Sequence, residues 1–479
     1  MGARIVAIQL AIAFQTSRKY ADSFSGRYKE RAIDERLVTS EDSITTGKPH
    51  DVIVVGAGPA GSAAACYAAR EGYRVLLVDR ATFPRDKVCG DALGWKTLSF
   101  LREFGMGANG FVEENAPFNG VRVSSPNGNE ATIFLPEDGD EYYPRGWCQR
   151  REIFDNSLMD KARELVEGSG GTVIEGFTVK EILYGDAESR IIGIRGRMKS
   201  IDDTMESIEF HAPLTIGAGG YNCPVSRSLI GGTFEEPLSN PSHYAAAYRQ
   251  YWSGVSDCDN QIELHFLDKI IPGYFWIFPV SEDVVNVGIG SLQRHLDARS
   301  MKLREMMDYV TKENPKFAPR FANAILEEGS GKGSKLPLGS PRRLPPSGIQ
   351  PRRSAMAGGI LIGDAASLVD PFSGEGIGNA VHSAEIAISH FSSADNSEGF
   401  PESAANEYQR DLWGAMGGEM SHSSMLQKTF LKSPTLMNMF VSKVGKKQLL
   451  QKVLFDLTAR KQPRDNPPSR LRILLSLLF

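Results

Sequence analysis

A chain of 479 residues accommodates several domains of ordinary size with a substantial buried core, so a small stapled scaffold is excluded. Its 41% apolar and 23% charged residues exclude wholesale disorder, and 54 basic against 58 acidic residues, a net charge of −4, leave no global field to hold nucleic acid. Five widely spaced cysteines (Cys66, Cys89, Cys148, Cys223 and Cys258), with no C-x-x-C pair, argue against a disulfide framework or zinc site and for a reducing, cytoplasmic compartment.

Residues 5–14 have the length of a signal-peptide apolar region, but no clear small-x-small cleavage site follows. Residues 1–49 read as a polar, mobile leader. At residues 51–55 the sequence changes to DVIVV, a continuous β-branched run of strand length. Gly56-Ala57-Gly58-Pro59-Ala60-Gly61 and an alanine-rich helical stretch through Arg70 follow at once. A second apolar run ends at residue 78, before Asp79 and Arg80, and Asp79 lies 18 residues beyond Gly61. Strand, glycine turn, helix, strand and acid in that order form a dinucleotide-binding unit. Gly56 permits the turn, Gly58 lets backbone approach a pyrophosphate, Gly61 lets helix pack on strand, and Asp79 takes the ribose. NAD and FAD share the adenosine diphosphate half, so this unit alone does not separate them.

Residues 106–145 and 225–345 alternate and turn more than they follow helical spacing, and read as a sheet-rich domain. Within it Tyr274, Trp276 and Phe278 share a two-residue period, which puts their rings on one strand face and Phe275 and Ile277 on the other. Such an aromatic wall suits a long apolar substrate, and its ring faces stabilise positive charge; a core stripe gives the same pattern. Further on, Ile360-Leu361-Ile362 leads into Gly363-Asp364 and then Pro371-Phe372-Ser373-Gly374-Glu375-Gly376-Ile377-Gly378, followed by a helical run to Phe391. A carboxylate at a strand end accepts hydrogen bonds from ribityl hydroxyls, and a Pro/Gly turn feeding a helix offers N–H groups to an electron-rich ring.

Between residues 443 and 472, nine basic residues face only Asp456 and Asp465. Leu449, Leu450, Val453, Leu454 and Leu457 fall at helical spacing there, and RLRILLSLLF closes the chain. This tail either lies on an anionic bilayer or packs on the protein's own core. No run reaches the ~20 apolar residues that a spanning helix needs.

The Gly363-Asp364 and P-x-x-G-x-G segments resemble those of the flavoprotein group that includes aromatic hydroxylases and geranylgeranyl reductases. The likeness sharpens at Phe83-Pro84-Arg85-Asp86-Lys87-Val88-Cys89-Gly90-Asp91, similar to the F-P-R-x-K-x-C-G segment of the geranylgeranyl reductase family. It extends to Arg151-Glu152-Ile153-Phe154-Asp155, to the family's Y-x-W-x-F-P motif at 274–279 and to its N-V-G element at Asn286-Val287-Gly288. The resemblance covers roughly residues 50–390 and implies an α/β fold: a Rossmann-type FAD-binding domain, an inserted β-sheet-rich substrate domain and a helical C-terminal region. The expected division is FAD domain at 50–105, 146–224 and 346–392, substrate domain at 106–145 and 225–345, and helical region at 393–479.

FAD is then the cofactor, held by Gly56, Gly58, Pro59, Ala60, Gly61, Asp79, Arg80, Arg85, Lys87, Cys89, Gly90, Arg151, Gly363, Asp364, Pro371, Gly374, Gly376 and Ile377. The implied reaction saturates isoprenoid double bonds on membrane lipids by hydride transfer from reduced flavin. Cys89, Tyr274 and Trp276 are its candidate catalytic residues, with Arg85 and Lys87 expected to lower the Cys89 thiol pKa or hold phosphate. His265, His382 and Glu375 are alternative proton donors. One departure stands out: the broader group carries an A-D-G-x-x-S segment, whereas this chain reads Ala218-Gly219-Gly220-Tyr221-Asn222-Cys223. The missing acid speaks against a hydroxylase-like nicotinamide encounter, and no second dinucleotide unit occurs, so an external donor (ferredoxin or NAD(P)H) is expected. The rival readings are an FAD monooxygenase or halogenase acting on an aromatic or polyketide substrate, and a membrane-associated flavin carrier without turnover.

Overall fold

The computed structural model describes residues 49–444, apart from 107–115, 135–145, 186–188, 200–204, 232–239, 345–347, 351 and 430–432. The leader and most of the basic tail, including its leucines, lie outside the described residues.

The run at 51–55 forms the strand Val52–Val55, buried at every position, because four consecutive apolar residues suit a strand covered on both faces. It pairs in parallel with Val75–Val78 on one side and Leu214–Gly217 on the other. Thr172–Ile174 and Gly359–Leu361 extend this six-stranded sheet, and a short antiparallel strand, Ala355–Met356, ends it. The helices Pro59–Arg70, Arg151–Gly168 and Ile377–Ser393 cover it. Pro59 sits where the first helix has no use for an N–H, and alanines at 63–65, 68 and 69 let the helix lie close to its neighbours.

Val52–Val55 leads one way to Val75–Val78 through its helix, while Leu214–Gly217 beside it is reached from far along the chain. The crevice beyond the C-terminal ends of these strands is the place where open α/β sheets bind ligands. There the chain is pressed tight. Gly56 has φ +104, and a Cβ on it would stand 2.7 Å from the Ala218 carbonyl oxygen and the Gly219 Cα.

A larger sheet faces this crevice. Its path runs Ile325–Leu326, Tyr244–Ser253, Val284–Leu292, Gly273–Pro279, Gln261–His265, Gly120–Ser124 and Glu130–Phe134, with Lys332–Pro337 also paired to Tyr244–Ser253. On its far side Phe275, Ile277, Val285, Val287 and Ile289 pack with Met307 and Val310 of the helix Leu303–Lys312. A small sheet of Ala92–Leu93, Trp147–Cys148 and Ala116–Pro117 lies near the Cys89 loop. The chain ends its described course in two helices, Glu402–Thr429 and Pro434–Val444. The observed class is the expected α/β fold with several sheets and a helical C-terminal region. No helix among the described residues is long and apolar enough to cross a membrane.

Candidate active site

One cavity of about 1150 Å³ runs between the two sheets, larger than a typical single-ligand pocket of about 300–1,000 Å³. One end is built from the glycine turn. Gly56, Gly58, Pro59, Ala60, Asp79, Arg80, Arg85 and Lys87 line it, with Ala218 to Asn222 alongside. Asp79 holds the turn in place: its Oδ2 accepts from the Ala57 N–H at 2.7 Å and its Oδ1 from the Ala81 N–H at 2.8 Å. A Cβ on Gly58 would meet only the Arg85 guanidinium, at 3.5 Å, so the backbone there is open to an incoming phosphate.

Gly61 and Gly363 stand apart from the other candidate cofactor residues, because they do not line the cavity. A Cβ on Gly61 would strike the Gly56 carbonyl oxygen, and one on Gly363 would stand 2.9 Å from the Ala60 Cβ. Both glycines serve close packing behind the turn.

The second flavin segment closes the same space. Asp364, Pro371, Gly374, Gly376 and Ile377 line the cavity, and the helix Ile377–Ser393 begins there. Asp370 Oδ1 accepts from the Phe372 and Ser373 N–H groups, and Glu375 Oε1 accepts from Gly378 N–H at 2.6 Å. Burial raises the Glu375 carboxyl's pKa, against the nearby Lys96 charge. Two helix N-termini with glycine turns, a ribose acid and a second carboxylate thus converge on one elongated space, which fits both ends of an FAD molecule.

The cysteine loop has a different electrostatic setting from the one expected. Arg85 pairs with Asp155 at 2.9 Å and Lys87 with Asp364 at 3.3 Å. Asp155, fully buried, also takes a two-point contact from Arg151, its Oδ1 from Nε at 2.7 Å and its Oδ2 from Nη2 at 2.8 Å. Both expected cations are therefore engaged elsewhere, and burial pushes the Cys89 thiol up, with Arg151 the principal charge opposing it. The expectation of a cation-lowered thiol is corrected on that ground.

Tyr274, Trp276 and Phe278 line the cavity, while Phe275 and Ile277 lie in the core on the other face. The Tyr274 hydroxyl donates to the Ser373 carbonyl at 2.8 Å, tying this wall to the Pro/Gly turn, and burial raises its pKa further. Trp276 Nε1 donates to Asn286 Oδ1 at 2.9 Å. The Asn286 amide donates in turn to the Cys89 carbonyl at 2.7 Å and to Asp91 Oδ2 at 2.6 Å. His265 does not reach the cavity. It is buried against Phe275 and Phe317, bonded to Ser124 and Glu263. His382 is not among the lining residues either, whereas Glu375 is.

Sequence reasoning gave no site role to Asp91, Asn286 or Tyr251, nor to the helix Glu402–Thr429, whose Gly414, Ala415, Gly418, Met425 and Leu426 form the remaining wall. The only local signal was the clustering of Asp91 and Asn286 inside quoted motifs.

A family model described as FAD dependent oxidoreductase matches residues 51–84, and one described as geranylgeranyl reductase catalytic domain matches residues 244–331. A menaquinone reductase of Mycobacterium tuberculosis is 31% identical over 370 residues, 75% of this chain and 81% of that protein. Digeranylgeranylglycerophospholipid reductase 1 of Methanococcoides burtonii is 27% identical over 392 residues, covering 80% and 84%. The solved structure of a geranylgeranyl bacteriochlorophyll reductase-like protein from Thermoplasma acidophilum superposes with a TM-score of 0.71 at 20% identity, over 90% of this chain and 99% of that one. The cofactor is FAD. By its sequence relatives, its matched catalytic region and its fold, the chain belongs to the geranylgeranyl reductase family of FAD-dependent oxidoreductases.

Proposed function

We propose that this protein saturates double bonds in the isoprenoid tail of a membrane lipid. The observation that carries the reading is the continuity of one cavity from the glycine turn to the wall of Tyr274, Trp276 and Phe278. The similar proteins named above act, by their names, on menaquinone and on a digeranylgeranyl phospholipid, and a polyprenyl tail is common to both.

Gly56, Gly58, Pro59 and Ala60 would receive the FAD pyrophosphate, with Asp79 and Arg80 at the adenosine ribose. Arg85, Lys87 and Arg151 would hold the Cys89-Gly90 loop and its carboxylates in register, and Asp364, Pro371, Gly374, Gly376 and Ile377 would take the ribityl and ring end. When bound and reduced, FAD supplies a hydride to one alkene carbon. The chain's own part is to exclude water with its aromatic and aliphatic walls, to orient the alkene along Trp276, and to steady positive charge through the faces of Tyr274 and Trp276. Cys89 would lie at the reacting end, where its half-buried thiol, its pKa raised, serves as a contact surface rather than a nucleophile.

The reducing electrons come from an external donor, ferredoxin or NAD(P)H. The protein works at the inner face of the cell membrane as a peripheral protein, a placement supported by the nine basic residues of the tail. The test is anaerobic: the purified holoprotein is reduced with dithionite and mixed with a geranylgeranylated glycerophospholipid or, separately, a menaquinone. Mass gains in steps of two hydrogens, coupled to flavin reoxidation, are expected with at least one. Unchanged masses, together with hydroxylation or halogenation of an aromatic when oxygen is admitted, would replace this reading with the monooxygenase or halogenase one.

A further inference from the structure

Saturating an alkene requires a proton as well as a hydride, and the buried group best built to hold one lies just behind the cysteine loop. Asp91 has no solvent exposure, lines the cavity and adopts φ +69, a conformation that a non-glycine residue takes only where its surroundings enforce it. Its two carboxyl oxygens differ. Oδ2 accepts from the Tyr251 hydroxyl at 2.6 Å and from the Asn286 amide at 2.6 Å, whereas buried Oδ1 has no hydrogen-bond partner among the described residues.

The Tyr251 hydroxyl and the Asn286 amide nitrogen both donate to Oδ2, the second Asn286 hydrogen being spent on the Cys89 carbonyl and its oxygen on the Trp276 indole. A proton placed on Oδ1, the unpartnered oxygen, leaves both of these contacts intact. Asn286 bridges Asp91 Oδ2 to the Trp276 indole, so this carboxyl lies behind the aromatic wall along which a tail would run.

We propose that Asp91 holds, on Oδ1, the proton that is added to the alkene carbon opposite the hydride; the assignment rests on the reductase reading above. In balance, the alkene carbons gain one hydride from the reduced cofactor and one proton from the Asp91 carboxylic acid, leaving a carboxylate that water reprotonates. Burial keeps the proton available, against the surrounding charges. Burial pushes the Asp91 carboxyl up to about 6, while the Tyr251 and Asn286 hydrogen bonds and the Arg249 and Arg151 charges hold it down. Arg150 and the protonated thiols of Cys89 and Cys148 complete the titratable groups around it.

The test uses the full-length holoprotein and variants Asp91→Asn and Tyr251→Phe. Asp91→Asn keeps the shape and an acceptor for Tyr251 but has no acid proton. It should bind FAD and accept dithionite electrons as wild type does, while lipid-dependent flavin reoxidation falls by at least about a hundredfold, the usual worth of a general acid. In the wild type that rate should decline as pH rises through about 6, and the decline should vanish in Asp91→Asn. Tyr251→Phe removes a donor to the ionised form, so it should move the same break to higher pH. Mass gain and a pH profile that both survive Asp91→Asn would overturn the assignment and leave the reductase reading standing. A failure of Asp91→Asn to fold transfers the decision to Tyr251→Phe, where an unmoved break overturns the assignment. No mass gain in the wild type overturns the reductase reading, and the assignment with it.

Discussion

The Trp276 indole occupies the space that a side chain at residue 288 would need, directly across the antiparallel ladder that pairs Trp276 with Gly288. Two rungs along the same ladder, Phe278 faces Asn286, whose Oδ1 fixes the indole N–H. The N-V-G element and the Y-x-W-x-F-P element therefore form one device: glycine makes room for the ring and asparagine sets its angle. Gly288→Ala should cost about 1–3 kcal/mol of overpacking and turn the indole into the cavity. Thermal unfolding should shift down, and single-turnover flavin reoxidation by a prenylated lipid should slow while FAD occupancy holds. An unchanged midpoint and rate would show that the ring is not seated as described.

The first half of the cofactor cradle was legible because its physics is local. A β-branched run, glycines at fixed offsets and a terminal acid occur within 30 residues, and each has one backbone use. The alternation of Tyr274, Trp276 and Phe278 was legible for the same reason, since strand period alone decides which face each ring takes. What escaped was set by partners far along the chain. Arg85 and Lys87 look free for the cysteine in a linear reading, yet Asp155 and Asp364 claim them from 70 and 277 residues away. Asp91 meets Tyr251 across 160 residues and Asn286 across 195. The wall supplied by Glu402–Thr429 carries no motif, because a helix lining an apolar space needs only small and aliphatic residues there.

Asp155 is the hub that explains the R-x-x-F-D string. Its carboxylate binds Arg151 at two points and Arg85 at one, all but the last deeply buried. Asp155→Ala leaves the Arg151 guanidinium, 3% exposed, without its counter-charge, which costs about 3–5 kcal/mol. The double change Asp155→Leu with Arg151→Met removes both charges and should recover most of that loss in urea titrations. FAD content should stay low in both, because Arg85 loses its anchor over the glycine turn in each case. Full FAD occupancy in the double variant would show that Arg85 needs no anchor.

Two glycines three positions apart in the same turn, Gly58 and Gly61, separate binding from folding. A methyl at Gly58 faces the cavity and meets only the Arg85 guanidinium, at 3.5 Å, whereas one at Gly61 strikes the Gly56 carbonyl. Gly58→Ala should leave the flavin-free protein as stable as wild type and weaken FAD binding by tenfold or more, about 1.4 kcal/mol. Gly61→Ala should lower the stability of the flavin-free protein itself. Flavin fluorescence titration and thermal unfolding of the stripped proteins distinguish the two, and equal effects in both variants would contradict the geometry.

The cluster beneath the large sheet makes a pH prediction independent of the cofactor. Burial alone would raise the Glu263 carboxyl, but hydrogen bonds from Arg320 at 2.7 and 2.9 Å and from His265 at 2.8 Å outweigh it and pull the value down to about 2. A carboxylate whose folded value lies below its unfolded one adds stability above the unfolded value, and loses it as pH falls through the folded one. Glu263 therefore contributes fully above about 4.5 and progressively less down to about 2. Glu263→Gln keeps the shape but cannot ionise, so it should be less stable than wild type at neutral pH and lose less on acidification across that window. Because Glu263 lies with His265 on the sheet face away from Tyr274 and Trp276, its FAD content at neutral pH should match wild type wherever the protein remains folded. Parallel acid-unfolding curves for the two proteins would mean that the Arg320 pairing does not hold in solution.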